Sequence, residues 1–302
     1  MSMQLEEKIA NSSDLSLTII IPIFNDWDYA LKNIEGIVDQ ASKRGHTEII
    51  LVDNGSSHIP AAESLPEGVK LIHCDKPGSY AARNVAVGLA QGEILAFTDA
   101  DCLASPSWLA EASEWFFMHG RPNAILAGGV KMFLENTASP TPYALYDLAL
   151  GIPQARYVKH GYGVTANLFV PRAAFNKVGL FDEKRFSGGD AEFCRRAGKA
   201  GIPIAYLEAA KVSHPARSSW TQLSNKTRRV KGGQLINGSL SFRLQHAVRT
   251  LLPPLRAWLY ALRSPALKPQ EKALVCMVQL RLWIVELAEM WRLLVLKREP
   301  YR

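Results

Sequence analysis

The sequence predicts an α/β fold in which a mostly parallel sheet is flanked by helices. Three short apolar runs have the length and composition of buried strands, at residues 17–23, 48–53 and 94–98. Helical patterns separate these runs, over residues 29–42 and 79–90. Buried strands that alternate with helices are typical of βαβ units, and such units build a parallel sheet.

The rest of the chain has a different pattern. Residues 124–133 and 161–170 resemble strands, whereas residues 136–153 are rich in proline and predict a loop. Residues 190–201 predict a helix, since acidic residues begin the segment and basic residues end it, which complements the helix dipole. Beyond about residue 240 only helical patterns remain.

Composition excludes a disordered or low-complexity chain. The chain has 302 residues, of which 48% are hydrophobic and 21% charged, so it has enough apolar material for a folded core. Its four cysteines are far apart and form no CxxC pair. We therefore expect free thiols in a reducing compartment, not a disulfide framework or a zinc site.

Charge is unevenly distributed. Residues 1–210 contain 18 basic and 24 acidic residues, whereas residues 211–302 contain 17 basic and 4 acidic residues. The last part thus has a formal charge of +13 and predicts an anionic partner, such as a membrane surface, nucleic acid or a phosphate-bearing substrate.

Neither a signal peptide nor a membrane span is predicted. The N-terminal residues 1–16 are polar and acidic, without a basic or apolar region. The most apolar stretch, residues 273–296, contains two arginines and two glutamates and predicts an amphipathic helix.

Two carboxylates follow the third predicted strand directly. Asp99 and Asp101 are spaced to share one side of an extended turn, where they could hold a divalent cation and a ribose hydroxyl. The alternative is a strand-ending turn with solvated aspartates. Ligands in parallel sheets bind beyond the carboxyl ends of the strands, but a D-x-D pair taken alone is most often such a turn.

Five ordered motifs favour the cation-binding interpretation. They are IIIPIFND (19–26), ILVDNGSS (50–57), GSYAARNVAVGLAQGEILAFTDADC (78–102), VGLFDE (178–183) and GGDAEFCRRAGKAG (188–201). In this order the sequence resembles glycosyltransferase family 2, the inverting nucleotide-sugar transferases of the GT-A fold, from about residue 17 to residue 233. The resemblance implies a GT-A domain at residues 15–238, with a nucleotide-sugar half at 15–102 and an acceptor half at 103–238.

The resemblance also implies a donor site. Mn²⁺ or Mg²⁺ would bind through Asp101, and Asp99 would contact the ribose or help to hold the metal. Asp53 would accept a hydrogen bond from the nucleobase, which favours a UDP-sugar. The other implied donor-site residues are Pro22, Phe24 (lining the base pocket), Ser56 and Arg83 (supporting the base or diphosphate). For Arg83 the alternative is an exposed helix arginine paired with a neighbouring acid.

Asp190 is the predicted general base, which removes the proton of the acceptor hydroxyl. Members of the family often have an acidic pair here, but Gly189 replaces its first residue, and Glu192 is the second choice of base. The alternative for Asp190 is a helix N-terminal aspartate. His214 lies where many GT-A enzymes complete the metal site with a histidine, although a structural hydrogen bond is equally compatible.

The segment NKTRR at residues 225–229 departs from the Gln-x-x-Arg-Trp motif of processive members. This difference argues against a processive polysaccharide synthase. Arg228 or Arg229 could still contact the diphosphate, and a basic solvated loop is the alternative.

Residues 239–302 form the predicted basic amphipathic helical region. Arg249, Arg256 and Arg263 recur every seven residues among leucines and a tryptophan. This pattern predicts docking on an anionic membrane surface through residues 243–298, at the inner face of the plasma membrane in the cytoplasm. The alternative is packing against the acidic body or a second subunit; a nucleic-acid partner is not predicted.

The predicted function is a metal-dependent inverting glycosyltransferase that acts on a glycan or lipid-linked acceptor, as in polysaccharide biosynthesis. A non-catalytic glycan- or lipid-binding module is an alternative, against which the carboxylates Asp99, Asp101 and Asp190 argue. A nucleotidyltransferase is a weaker one, because residues 24–27 (Phe-Asn-Asp-Trp) replace the Gly-rich basic loop of such enzymes.

Overall fold

The computed structural model of the protein describes residues 15–119 and 123–301. These residues form two compact units. The first comprises the described residues up to 131 together with 153–184 and 189–214, and the second comprises 132–152, 185–188 and 215 onwards. The predicted boundary at residue 238 lies inside the second unit, because the helices on either side of it pack with the same C-terminal helix.

One sheet of eight strands dominates the first unit, and only the last residues of two of its strands belong to the second. The strand order is β3-β2-β1-β4-β7-β6-β8-β5. The strands are β1 (Leu17–Ile23), β2 (Thr47–Asp53), β3 (Val69–His73), β4 (Ile94–Thr98), β5 (Leu103–Ala104), β6 (Ile125–Phe133), β7 (Asn167–Pro171) and β8 (Ile204–Pro215).

The sheet is mixed, so the prediction of a mostly parallel sheet holds for one half only. Strands β3, β2, β1 and β4 pair in parallel, whereas β7 runs antiparallel to both β4 and β6, and β5 runs antiparallel to β8. An apolar run reports burial but not strand direction, which is why the sequence did not reveal the antiparallel half.

Eleven helices are described. They are α1 (Trp27–Ser42), α2 (Ser79–Leu89), α3 (Trp108–Met118), α4 (Pro142–Leu150), α5 (Gln154–Val158), α6 (Arg172–Val178), α7 (Gly189–Lys199), α8 (Trp220–Ile236), α9 (Leu240–Leu251), α10 (Leu255–Arg263) and α11 (Pro269–Leu294). A 3₁₀ turn, Ala62–Ser64, precedes β3. The helices predicted at 29–42, 79–90 and 190–201 are confirmed. The loop predicted at 136–153 instead contains α4, which begins with a Thr141 cap and a proline in its first turn.

The core of the first unit lies on both faces of the sheet. Every residue of β4 and nearly every residue of β1 is buried. On one face, the rings of Phe97, Phe175, Phe181 and Phe193 contact one another. Gly92 allows β4 to approach β1, because a Cβ there would lie 2.4 Å from the backbone nitrogen of Thr18.

The second unit is helical apart from the last residues of β6 and β8, and α11 packs against both α4 and α8 within it. The helix predicted within residues 273–296 is confirmed. Glu289 is buried and paired with Arg292, whereas Trp291 is 61% exposed. Across the described part of the chain, no helix has the length and apolar character needed to cross a membrane.

Candidate active site

The candidate site lies at the carboxyl ends of β1, β2 and β4. Asn25 and Asp26 follow β1, Asp53 ends β2, and Asp99 follows β4 directly. Because these three strands are parallel neighbours, their carboxyl ends meet at one edge of the sheet.

Reciprocal hydrogen bonds join the turns after β1 and β2. The backbone N–H of Asn25 donates to Ser56 Oγ at 2.9 Å, and the backbone N–H and hydroxyl of Ser57 donate to Asn25 Oδ1. Asn25 has a φ of 60°, in the left-handed region that asparagine tolerates better than most residues. Ser56 therefore stabilises the turn, which sequence reasoning alone did not indicate.

Asp53 anchors the same turn. Its carboxylate accepts hydrogen bonds from the Trp27 indole N–H and from the backbone N–H groups of Gly55 and Ser56, each at 3.1 Å. Burial alone would raise the pKa of Asp53, but a hydrogen bond from the Ser56 hydroxyl and those from these three N–H groups outweigh burial and lower the pKa below its ordinary value. Only 1% of the residue is exposed, which leaves it little free surface for a nucleobase.

Two further predicted donor-site residues lie on β1 and just after it. Pro22 pairs in register with Val52 of β2. Phe24 is 60% exposed, an unusual state for a phenylalanine that directly follows a largely buried strand. An exposed aromatic ring at this edge of the sheet is available to stack on a base.

Arg83 pairs with an acid but, unlike the exposed arginine of the alternative interpretation, it is buried. This residue of α2 is buried, and its guanidinium donates to Asp99 Oδ1. Asp99 also acts on Asp26, whose pKa is raised by burial and by the negative charge of Asp99. Sequence reasoning missed Asp26, although the motif IIIPIFND ends on it.

Asp99, Asp101, Cys102 and His214 form a compact cluster of possible metal ligands. One donor atom from each lies within 4.8 Å of all the others, and His214 Nε2 is 3.5 Å from Asp101 Oδ2. His214 is contributed by β8, far away in sequence, because β8 pairs with β5 just after Asp101.

The donor set fits a hard divalent cation. Two carboxylates and an imidazole suit Mn²⁺ or Mg²⁺ together with the oxygens of a diphosphate and water. The pKa of the Cys102 thiol is raised well above its ordinary value, by burial first and then by the charges of Asp99 and Asp101. A thiol is also a softer ligand than Mn²⁺ or Mg²⁺ prefers, so the two carboxylates and the imidazole are the better candidates.

Asp190 lies in the first turn of α7 and is buried. Its carboxylate accepts hydrogen bonds from the backbone N–H groups of Ala191, at 2.8 Å, and Thr165, and from the hydroxyl of Tyr80. Burial raises the pKa of Asp190, and the hydrogen bonds and the nearby Arg83 offset only part of that effect. A carboxylate with a raised pKa binds a proton more readily, as a general base must.

Glu192, the second choice of base, is held by another partner. Arg196, one turn later in α7, donates two hydrogen bonds to its carboxylate, at 2.9 and 3.0 Å. This pairing makes Asp190 the better candidate.

Arg228 lies in the second unit, on α8. Its guanidinium lies over the ring of Tyr301, 5.8 Å from the ring centroid. The predicted contact with a diphosphate stays a prediction.

Two consecutive helices of the second unit, α9 and α10, each have a row of exposed apolar residues. These residues are between 46% and 63% exposed and follow helical spacing: Leu240, Leu244, Val248 and Leu251 on α9, and Leu255, Leu259 and Leu262 on α10. Arg249, Arg256 and Arg263 are also exposed on the same two helices.

Comparison with known proteins gives a family match. The model described as "Glycosyl transferase family 2" matches residues 18–176. A glycosyltransferase, AglE, from Haloferax volcanii is 29% identical over 72% of this chain and 73% of its own length. A pre-mycofactocin glycosyltransferase from Mycobacterium tuberculosis is 27% identical over 68% of this chain, which spans 44% of that protein.

Solved structures share the fold. A mannosyltransferase from Pyrobaculum calidifontis, solved with GDP-Man and Mn²⁺, aligns with a TM-score of 0.61 and 17% identity, over 94% of this chain and 88% of that one. Staphylococcus aureus TarS (residues 1–349), solved with UDP-GlcNAc, aligns with a TM-score of 0.53 and 17% identity, over 89% of this chain and 72% of that one. The predicted GT-A fold is confirmed.

Proposed function

This chain belongs to glycosyltransferase family 2, whose model matches more than half of it, and we propose that it transfers a sugar from a nucleoside-diphosphate sugar to a hydroxyl of a glycan or lipid-linked acceptor, with inversion at C1. The observation that carries the proposal is the cluster of Asp99, Asp101 and His214 at the edge of the sheet where ligands of parallel strands bind.

The donor would bind across the carboxyl ends of β1, β2 and β4. Phe24 would stack on the nucleobase, and the turn anchored by Asp53 and Ser56 would contact base and ribose through its polar groups. The family resemblance favours a UDP-sugar. Similar structures solved with UDP-GlcNAc and with GDP-Man support a nucleotide sugar, but they contain different bases.

The diphosphate would lie beside Asp99, Asp101 and His214. A bound Mn²⁺ or Mg²⁺ would neutralise negative charge on the departing diphosphate. Arg83 would support the diphosphate. Its guanidinium pairs with Asp99, and its Nε has no hydrogen-bond partner among the described residues.

Asp190 would act as the general base. As the acceptor oxygen forms its bond to C1, the bond from C1 to the diphosphate oxygen breaks and its electron pair leaves with the nucleotide. The acceptor proton passes to the Asp190 carboxylate in the same displacement. The raised pKa of this buried carboxylate favours that transfer.

Donor turnover tests this proposal. The protein is incubated with UDP-, GDP- and dTDP-sugars, with Mn²⁺ or with EDTA, and release of the nucleoside diphosphate is measured. We expect release from one class of donor, and only with the metal, since even slow hydrolysis of a donor requires a working site. Absence of release from every donor would favour a non-catalytic module.

We also propose that the second unit docks on anionic lipid. The exposed leucines of α9 and α10 would enter the interface, and the exposed Arg249, Arg256 and Arg263 would contact lipid headgroups. The net charge of +13 after residue 210 supports an anionic surface. The four cysteines are free thiols, in agreement with a cytoplasmic location at the inner face of the plasma membrane.

Vesicle sedimentation tests this docking. We expect the protein to pellet with vesicles that contain phosphatidylglycerol at low salt, less at high salt, and not with pure phosphatidylcholine. Equal pelleting with both lipids, or a dimer that buries the same leucines, would contradict it.

A further inference from the structure

We propose that Tyr80 is a positioning residue for Asp190, an inference that rests on the proposed role of Asp190 as general base. The ring of Tyr80 occupies the space that a side chain at position 189 would need, and its hydroxyl donates to the Asp190 carboxylate.

The close approach at Gly189 is the first observation. A Cβ at this position would lie 2.7 Å from Cε2 of Tyr80 and 2.9 Å from its Cδ2 and Cζ, closer than real Cβ atoms come. Glycine is therefore the residue that lets the start of α7 lie against the ring. The glycine at position 189 and the tyrosine ring at position 80 therefore depend on each other.

The ring itself is firmly held. Tyr80 is buried, and its ring centroid is 5.7 Å from that of Phe181. The segment around Phe181 is fixed to α2 by Asn84, whose side chain exchanges two hydrogen bonds with the Phe181 backbone, at 2.9 and 3.1 Å. A ring packed in this way holds its hydroxyl in one place.

The hydroxyl remains a donor. Burial and the nearby Asp190 both raise the pKa of Tyr80 above its ordinary value, so its proton stays on the oxygen. Asp190 accepts from this hydroxyl and from the backbone N–H groups of Ala191 and Thr165. These three donors orient the carboxylate and leave a lone pair for an acceptor proton.

Arg83 extends the arrangement to the donor side. One turn after Tyr80 on α2, its guanidinium carbon lies 5.7 Å from the Tyr80 ring centroid, and the guanidinium also pairs with Asp99. Helix α2 therefore connects the proposed base and the carboxylate cluster through two adjacent side chains. This arrangement would set the distance between the proposed base and the carboxylate cluster.

Replacing Tyr80 by phenylalanine tests the inference. Tyr80→Phe keeps the ring against Gly189 and removes only the hydroxyl. We expect kcat to fall about tenfold with the donor KM unchanged, because a hydrogen bond to a charged group is lost at the base and not at the donor site. The acidic limb of the pH profile should move up by about one pH unit.

The matched control is Tyr206→Phe, since the Tyr206 hydroxyl also donates to a carboxylate, that of Glu208 on β8. This control should leave kcat and the pH profile unchanged. An unshifted pH profile in Tyr80→Phe, with Asp190→Asn inactive, would overturn the inference and leave the proposed base intact. An active Asp190→Asn enzyme would instead overturn the base.

Two readouts do not require turnover. Carboxyl ¹³C NMR, with the signal assigned through Asp190→Asn, should show a higher pKa for Asp190 in Tyr80→Phe than in the wild type. Gly189→Ala should lower Tm in the wild type and have little effect in a Tyr80→Ala background, where the clash is absent. An unchanged pKa, or an equal loss of Tm in both backgrounds, would contradict the inference.

Discussion

The two units each bury an aspartate, and the two carboxylates have opposite environments. Asp190 in the first unit is held by two backbone N–H groups and a tyrosine hydroxyl, and burial raises its pKa. Asp147 in the second unit is fully buried and pairs with Arg217 at 3.0 Å and Lys226 at 3.2 Å. Burial opposes the charge of Asp147, but the two cations outweigh it and lower its pKa.

The difference separates a candidate base from a structural ion pair. A carboxylate that is oriented by neutral donors keeps its affinity for a proton, whereas one that is neutralised by two cations does not. Burial also affects Lys226, one of the two cationic partners. Burial and Arg217 lower the pKa of Lys226 to about 8 despite its contact with Asp147. Depth of burial alone therefore does not identify the functional aspartate.

The largest effect on turnover is expected at the carboxylate cluster of the first unit. Asp101→Ala should reduce turnover by about 10⁴-fold or more, since a metal supplies several kcal/mol of transition-state stabilisation. The measurement is nucleotide release under saturating Mn²⁺. Asp39→Ala, at an exposed carboxylate on α1, is the control and should retain full activity; equal activity of both variants would contradict the metal assignment.

Asp190→Asn comes next. It should lower kcat by about 10³-fold, because a positioned general base contributes roughly 10²–10⁴-fold. Stopped assays at several pH values measure kcat, and circular dichroism checks the fold. Glu192→Gln should retain most of the activity, as its carboxylate pairs with Arg196. If Glu192→Gln lowers kcat and Asp190→Asn does not, Glu192 is the base.

Asp147→Asn should affect stability. Removing one partner of a buried ion cluster leaves buried cations uncompensated, and we expect a loss of about 3 kcal/mol at pH 7, measured by urea unfolding. The folded-state pKa of Asp147 is lowered, so its contribution is present above the ordinary aspartate pKa and is lost as pH falls through the folded value. The gap between wild type and variant should therefore narrow in acid; a constant gap would show that packing, and not charge, causes the loss.

The smallest predicted effect concerns the basic helices of the second unit. The triple variant Arg249→Gln, Arg256→Gln, Arg263→Gln should weaken binding to anionic vesicles by about 100-fold, as each arginine contributes roughly 1 kcal/mol near such a surface. Tm should stay unchanged because all three side chains are exposed. Undiminished vesicle binding would exclude these arginines from the contact.

Short apolar runs and helical spacing in the sequence predicted most strands and helices of the βαβ half. β1 and β4 have the predicted bounds, and the helices around residues 29–42 and 79–90 differ by one or two residues at their ends. β3 escaped notice because it is only partly buried and has no continuous apolar run. Strand direction in the antiparallel half depends on tertiary packing, which no short window contains.

In the candidate site, residues within motifs were predicted, whereas contacts between residues far apart in sequence were not. The motifs identified Asp99, Asp101, His214 and Asp190, and the first three have ligand atoms within a few ångströms of one another. The sequence did not reveal Tyr80, because its contact with Asp190 spans more than a hundred residues. Asp147 was missed for the same reason, as its cationic partners lie 70 and 79 residues further along the chain.

Nucleotide binding tests the central claim most directly. Tm is measured with UDP, GDP and dTDP, with and without Mn²⁺, for the wild type and for Asp101→Asn. We predict that one nucleoside diphosphate raises the Tm of the wild type only when Mn²⁺ is present, and that Asp101→Asn loses this shift. A shift that is equal in both proteins, or that is absent with every nucleotide, would contradict the assignment of this cluster as the donor site.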